Sequence, residues 1–165
     1  MKVLLIKPKI DIKGNDKISS RLGIQRKVDI LLGIDDNIFD IIDNKIKSKE
    51  IINCLIVDEA QFLNKIQIEQ LFAITVKLNI PVLCYGIRTD FKTEGFEGSS
   101  RLLQLAHTIE EIKTICRCGK KALFNLRKIN DKFVFEGDQI AIDEIDNVTY
   151  ESVCGDCYYK YSQKV

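Results

Sequence analysis

The sequence predicts an α/β fold: a parallel sheet with helices packed on it, then a small metal-stapled segment. Three observations carry this. Three short runs are continuously apolar rather than alternating, the pattern of strands buried in a parallel sheet. Segments of helical periodicity lie between them. Four of the six cysteines stand in two close pairs in the C-terminal third.

The first strand is Lys2 to Ile6. Ile38, Ile41, Ile42 and Ile46 then fall on one helical face, and Ile51 to Val57 is the second strand. A second helix carries Ile68, Leu71, Phe72 and Leu78, with Asn64 as its cap and Gln67 three residues on, as in a capping box. Pro81 to Ile87 is the third strand. Strand, helix, strand, helix, strand in that order implies right-handed crossovers and a parallel sheet. Thr89 to Gly98 is polar and turn-rich, the composition of a functional loop, and a short helix follows at about Ser99 to Ala106. Beyond Ile115 come hairpin-like segments, Phe133 to Gly137 and Gln139 to Ile142. The expected division is 1–113 for the sheet domain and 114–165 for the cysteine segment.

A chain of 165 residues can bury one good core with a small appendage, and 45% apolar with 30% charged residues is globular composition. The formal net charge of +1 creates no strong field toward nucleic acid or a membrane. No run approaches the roughly 18 apolar residues of a membrane span. Lys7 and Pro8 interrupt the opening apolar run too early for a signal peptide, so the chain reads as cytosolic.

In a reducing compartment, close cysteine pairs are metal ligands rather than disulfides. Cys116-Arg-Cys118-Gly119 and Cys154-Gly-Asp-Cys157 supply four thiolates, which can surround one Zn²⁺ tetrahedrally. Four protein ligands leave no open position, so the site is structural. Gly119 permits a tight turn around the metal. Cys54 and Cys84 lie inside apolar runs and read as core thiols.

Asp58 and Glu59 follow the second strand, at the sheet edge where parallel sheets bind ligands. Apolar residues followed by Asp is the form of a Walker B strand, whose Asp holds Mg²⁺ near nucleotide phosphates. An adjacent Glu could take a proton from an attacking hydroxyl. His107, the sole histidine, reads as a surface or helix-end residue, and Asp138 to Asp146 as a solvated hairpin face.

Taken together, VLLIKPKID, ISSRLGI, CLIVDEAQFL, IPVLCYGIRTDF, KTICRCGKKA and YESVCGDCYY resemble the zinc-containing cytosolic thymidine kinases, especially the bacterial branch. The resemblance implies a RecA-like sheet of the P-loop kinase type and a C-terminal zinc-binding lasso domain. It implies transfer of the ATP γ-phosphoryl group, with Mg²⁺, to the 5′-hydroxyl of thymidine, giving dTMP in nucleotide salvage, by a cytoplasmic homotetramer. Carried onto this chain, Glu59 is the general base, and Asp58, Glu59, Ala60 and Gln61 border ATP. Phe62, Phe91, Phe96 and Tyr150 line the thymidine pocket, and Cys116, Cys118, Cys154 and Cys157 hold Zn²⁺.

Two departures stand out. Lys13 occupies a position where the family usually has Arg, and no G-x-x-x-x-G-K-[ST] phosphate loop occurs in the 165 residues. The family's first strand, phosphate loop and first helix are therefore expected upstream, with little kinase activity from these residues alone. Two alternative readings are an inactive relic that binds nucleoside or only oligomerises, and a zinc-ribbon nucleic-acid-binding protein. The near-neutral charge weighs against the latter.

Overall fold

The computed structural model describes residues 1–11, 16–20, 23–139 and 148–162. The chain divides into two compact units, Met1–Arg88 with Phe96–His107, and Thr89–Gly95 with Thr108–Val165. Residues 89–95 thus group with the cysteine-bearing stretch, not with the sheet that precedes them in sequence.

The first unit runs β1 (Val3–Pro8), β2 (Lys17–Ser19), β3 (Gln25–Lys27), β4 (Ile30–Leu32), α1 (Ile38–Lys47), β5 (Cys54–Val57), a 3₁₀ turn (Ala60–Phe62), α2 (Lys65–Lys77), β6 (Val82–Cys84) and α3 (Glu97–Leu105). Its sheet has the order β4-β1-β5-β6 with every neighbouring pair parallel. The three expected strands are present, with the second and third trimmed to their last and middle residues. Two features were not anticipated. A short strand, β4, pairs outside β1, its entry set where the Leu5 N–H donates to the Asp29 carboxylate at 2.7 Å. The antiparallel pair β2–β3 precedes it in the chain.

Leu4, Ile6, Leu32, Leu55 and Val57 from the sheet pack with Ile38, Ile42, Ile68, Leu71 and Ile74 from α1 and α2. The expected capping box is present: the Asn64 side chain accepts from the Gln67 N–H, and the Gln67 side chain accepts from the Asn64 N–H. Gln67 is itself buried, and its amide donates to the Gly33 carbonyl at 2.7 Å, fixing α2 to the loop before α1.

Continuous apolar strands imply burial on both faces, which holds for β1 and β5, whereas β6 and the edge strand β4 are partly exposed. Leu31, Leu83 and Tyr85 are about 40% exposed. The helices cover the face carrying Leu4 and Ile6, while an open cleft of about 320 Å³ remains beside Leu5, Ile18, Ile24, Ile56, Asp58 and Tyr85. Among the described residues no helix is long and apolar enough to cross a membrane.

The second unit contains β7 (Phe124–Ile129), β8 (Lys132–Val134), β9 (Val148–Val153) and α4 (Gly155–Ser162), its antiparallel sheet ordered β8-β7-β9. Asn130 and Asp131 both take positive φ, 48° and 60°, as a two-residue hairpin turn requires. Leu126, Val153 and Tyr158 form a buried cluster with Cys116 and Cys154, and Phe124, Phe133 and Phe135 pack around it. Beyond Gln139, the segment expected at Gln139 to Ile142 and most of the acidic stretch fall outside the described residues, as does Lys13.

Candidate active site and cysteine centre

The carboxyl ends of β1 and β5 place Lys7, Asp11, Asp58 and Glu59 together. Lys7 is 1% exposed, an unusual position for an ammonium group, and it pairs with Asp11 at 2.9 Å. Burial pushes the Asp58 carboxyl above its ordinary range. The Glu59 N–H opposes that rise, Asp11 adds to it, and Lys7 opposes it. Two acids and one buried cation therefore share one electrostatic site at the sheet edge.

Glu59 has left-handed backbone angles, φ 51° and ψ 38°. A side chain other than Gly is strained there, and such strain clusters at functional sites. Surrounding bonds hold the conformation. The Ala60 N–H donates to the Tyr85 carbonyl at 2.8 Å, and the Phe62 N–H donates to the Glu59 carbonyl at 3.1 Å. Gln61 is buried and acts as a strut. Its Nε2 donates to Glu59 Oε2 at 2.5 Å, and its Oε1 accepts from the Ile87 N–H at 3.3 Å.

The turn Ala60–Phe62 rests on the start of α3. A Cβ added at Gly98 would stand 2.5 Å from the Leu63 carbonyl oxygen, 2.8 Å from that of Ala60 and 3.0 Å from that of Gln61. Backbone cannot yield as a flexible side chain does. Gly98→Ala should therefore destabilise the first unit by about 1–3 kcal/mol, even though Ala is the better helix former by about 1 kcal/mol. A urea midpoint at or above wild type would show that α3 is free to shift.

Phe96 is 4% exposed and meets Phe62 edge-on, ring centroids 5.7 Å apart. The structure thus brings together two of the four aromatics named from the sequence. Phe91 and Tyr150 belong to the second unit. Phe91 is 1% exposed beneath the Arg127 guanidinium, whereas Tyr150 is 45% exposed with its hydroxyl accepting from Arg127 Nε at 3.1 Å. His107 is exposed just past α3 with its ring 5.3 Å from that of Phe72, a helix-end residue. Cys54 is buried and Cys84 partly so; burial raises both thiols, that of Cys84 to about 12.

The four remaining cysteines converge. Their Sγ atoms all lie within 4.8 Å of one another, with Cys118 3.5 Å from both Cys116 and Cys154. Zinc–sulfur bonds of about 2.3 Å in a tetrahedron put sulfurs about 3.8 Å apart, so the donor set fits that ion. Disulfides would need about 2 Å. Gly119, at φ 88°, allows the return in which the Gly119 N–H donates to the Cys116 carbonyl. The N–H groups of Cys118 and then Cys154 pull the Cys116 thiol down to about 6. Hydrogen bonding with the sulfurs of Cys118 and then Cys154 pushes Cys157 up to about 12. Sulfurs this close cannot all lose their protons unless a cation joins them.

Sequence reasoning did not find Lys7 as a site residue or Arg127 as a structural hub, and it placed Gln61 only at the ATP border. A lysine inside VLLIKP, at a strand end of otherwise apolar residues, was the available signal for the first.

The chain matches the sequence profile described as thymidine kinase over residues 1–158. It is 50% identical over 143 residues to a thymidine kinase of Haemophilus influenzae, covering 86% of this chain and 72% of that protein. Against a thymidine kinase of Coxiella burnetii it is 47% identical over 152 residues, 90% of this chain and 76% of the other. Against one from Francisella tularensis the identity is 42% over 159 residues, 93% and 79% of the two chains. A profile match across nearly the whole chain and relatives at these identities place the α/β sheet and the four-cysteine centre in one lineage: the chain belongs to the thymidine kinase family.

Proposed function

We propose that this protein phosphorylates thymidine, moving the γ-phosphoryl group of ATP to the 5′-hydroxyl, with dTMP as product for nucleotide salvage. The observation that carries this reading is Glu59, a strained carboxylate at the sheet edge whose orientation Gln61 holds. In this reading Glu59 takes the 5′-hydroxyl proton as the oxygen attacks phosphorus. Phosphoryl transfer depends on positioning and charge neutralisation more than covalent chemistry, which suits a rigid turn stapled to α3.

Asp58, Glu59, Ala60 and Gln61 border ATP, and Asp58 would hold the Mg²⁺ that neutralises charge on the phosphates. Phe62, Phe91, Phe96 and Tyr150 line the nucleoside site, as a flat base needs aromatic walls with a few fixed polar groups. Cys116, Cys118, Cys154 and Cys157 hold a structural Zn²⁺ in a lasso domain of residues 114–165, which follows a nucleotide-binding domain of residues 1–113 in the chain. In this reading the protein works as a cytoplasmic homotetramer, as the family resemblance implies.

The test is direct. The gene product, given thymidine, ATP and Mg²⁺, should form dTMP, and omission of any one should abolish product. Thymidine binding without turnover would favour a nucleoside-binding relic. Failure to bind thymidine would overturn the assignment.

A further inference from the structure

We propose that Arg127 is the positioning residue of the nucleoside site, a buried clamp that sets Phe91 and Tyr150 from between them. The proposal rests on the reading of these two aromatics as nucleoside walls.

Arg127 lies on β7 and is 4% exposed. A buried guanidinium is costly unless its donors are satisfied. Here four groups share it. Its plane-bearing carbon sits 3.8 Å from the centroid of the Phe91 ring, stacking distance. Nε donates to the Tyr150 hydroxyl at 3.1 Å. One terminal nitrogen donates to the Asp138 carbonyl at 2.8 Å and the other to the Gln139 carbonyl at 3.0 Å. Gly137, just before them, takes φ 114°, a conformation that favours glycine. One side chain therefore joins β7, β9, the 89–95 loop and the segment after β8.

Other bonds of the loop converge on the same hub. The Tyr158 hydroxyl donates to the Phe91 carbonyl at 3.1 Å, and Gln139 Nε2 donates to Asp90 Oδ2 at 3.3 Å. Asp90 Oδ1 accepts from the Lys92 and Glu94 N–H groups, closing the loop on itself. The loop's internal shape is thus set by Asp90, while its attachment to β7, to α4 and to the segment after β8 runs through Arg127, Tyr158 and Gln139. Lysine could not replace the arginine fully, because an ammonium group lacks the planar fork that reaches three acceptors while lying flat on a ring.

The chemistry separates this role from general stability. Arg127 bears directly on Phe91 and Tyr150, so its loss acts on those two walls first. Loss of charge-assisted hydrogen bonds to a buried cation corresponds to about 10- to 100-fold in affinity when the walls depend on them.

Arg127→Met and Arg127→Lys in the gene product test this. Thymidine affinity by calorimetry should fall about 10- to 100-fold for Arg127→Met and less for Arg127→Lys, with zinc content and the KM for ATP unchanged. Limited trypsin digestion gives the readout that does not depend on thymidine: cleavage after Lys92 should become rapid in Arg127→Met. If wild type fails to bind thymidine, the nucleoside reading falls and the digestion alone decides the clamp. Unchanged cleavage at Lys92 would overturn the proposal, as would wild-type thymidine affinity in Arg127→Met. Loss of zinc or of folding in Arg127→Lys as well would overturn it too, reducing the arginine to a packing role.

Discussion

Cys154→Ser should abolish stoichiometric zinc binding and unfold the second unit while the parallel sheet stays folded. The reason lies in how little else holds that unit. Among the described residues its apolar cluster is small: apart from two cysteines it buries Leu126, Val153 and Tyr158, and Phe91 is buried separately beneath Arg127. Burial of such a side chain contributes about 2 kcal/mol, whereas a structural zinc site contributes on the order of 10 kcal/mol. Cys154 also joins β9 to the start of α4, and its carbonyl accepts from the Tyr158 N–H at 2.9 Å. Losing the ligand therefore releases the helix that carries Cys157 and Tyr158. Metal analysis should find one zinc per wild-type chain and well under one in the variant. Amide exchange should rise across β7, β9 and α4 but not across β1 and β5. Cys54→Ala should leave zinc content unchanged, because Cys54 is a core thiol at the start of β5. Protein purified without chelators and still lacking zinc would remove the metal from the account.

The four-cysteine cluster was legible because close cysteine pairs are rare and local: two short motifs contain all four sulfurs. The strands β1, β5 and β6 were legible for a similar reason, since each is an apolar run. What escaped is non-local or weakly patterned. Ile30–Leu32 is a three-residue strand between Asp29 and Gly33, too short to show a period. Lys17–Ser19 and Gln25–Lys27 carry one apolar residue between them and exist as strands by pairing with each other. Lys7 shows in sequence only as a charge that interrupts an apolar run, yet in the fold it is buried, with Asp11 and Asp58 making that burial tolerable. The partners of Arg127 come from three separate stretches, and no spacing rule connects them. Glu59 was found by its place after an apolar strand; its left-handed backbone and its tie to Gln61 are properties of the fold.

Glu59→Gln should lower kcat by about 100- to 10,000-fold while thymidine still binds. The substitution isolates basicity because the geometry can survive it. Glu59 Oε2 accepts from Gln61 Nε2, and a glutamine at 59 can offer its own amide oxygen to the same donor. The backbone at φ 51° is no more strained by Gln than by Glu. What disappears is a carboxylate able to take the 5′-hydroxyl proton. Gln61→Ala asks the complementary question. The base remains, but its strut is lost and the Ile87 N–H loses its acceptor, so kcat should fall by a smaller factor, about tenfold, with some loss of stability. Glu59→Gly separates strain from chemistry. Glycine in a helix or strand ordinarily costs about 0.5–1 kcal/mol, but at a left-handed position it relieves strain of similar size. Glu59→Gly should therefore unfold at or above the wild-type urea concentration while being as inactive as Glu59→Gln. Stability retained with activity lost would mark Glu59 as a residue kept strained for its chemistry. Near wild-type turnover in Glu59→Gln would mean that the proton leaves by another route, and the site at the end of β5 would have to be rebuilt around Asp58 and Asp11.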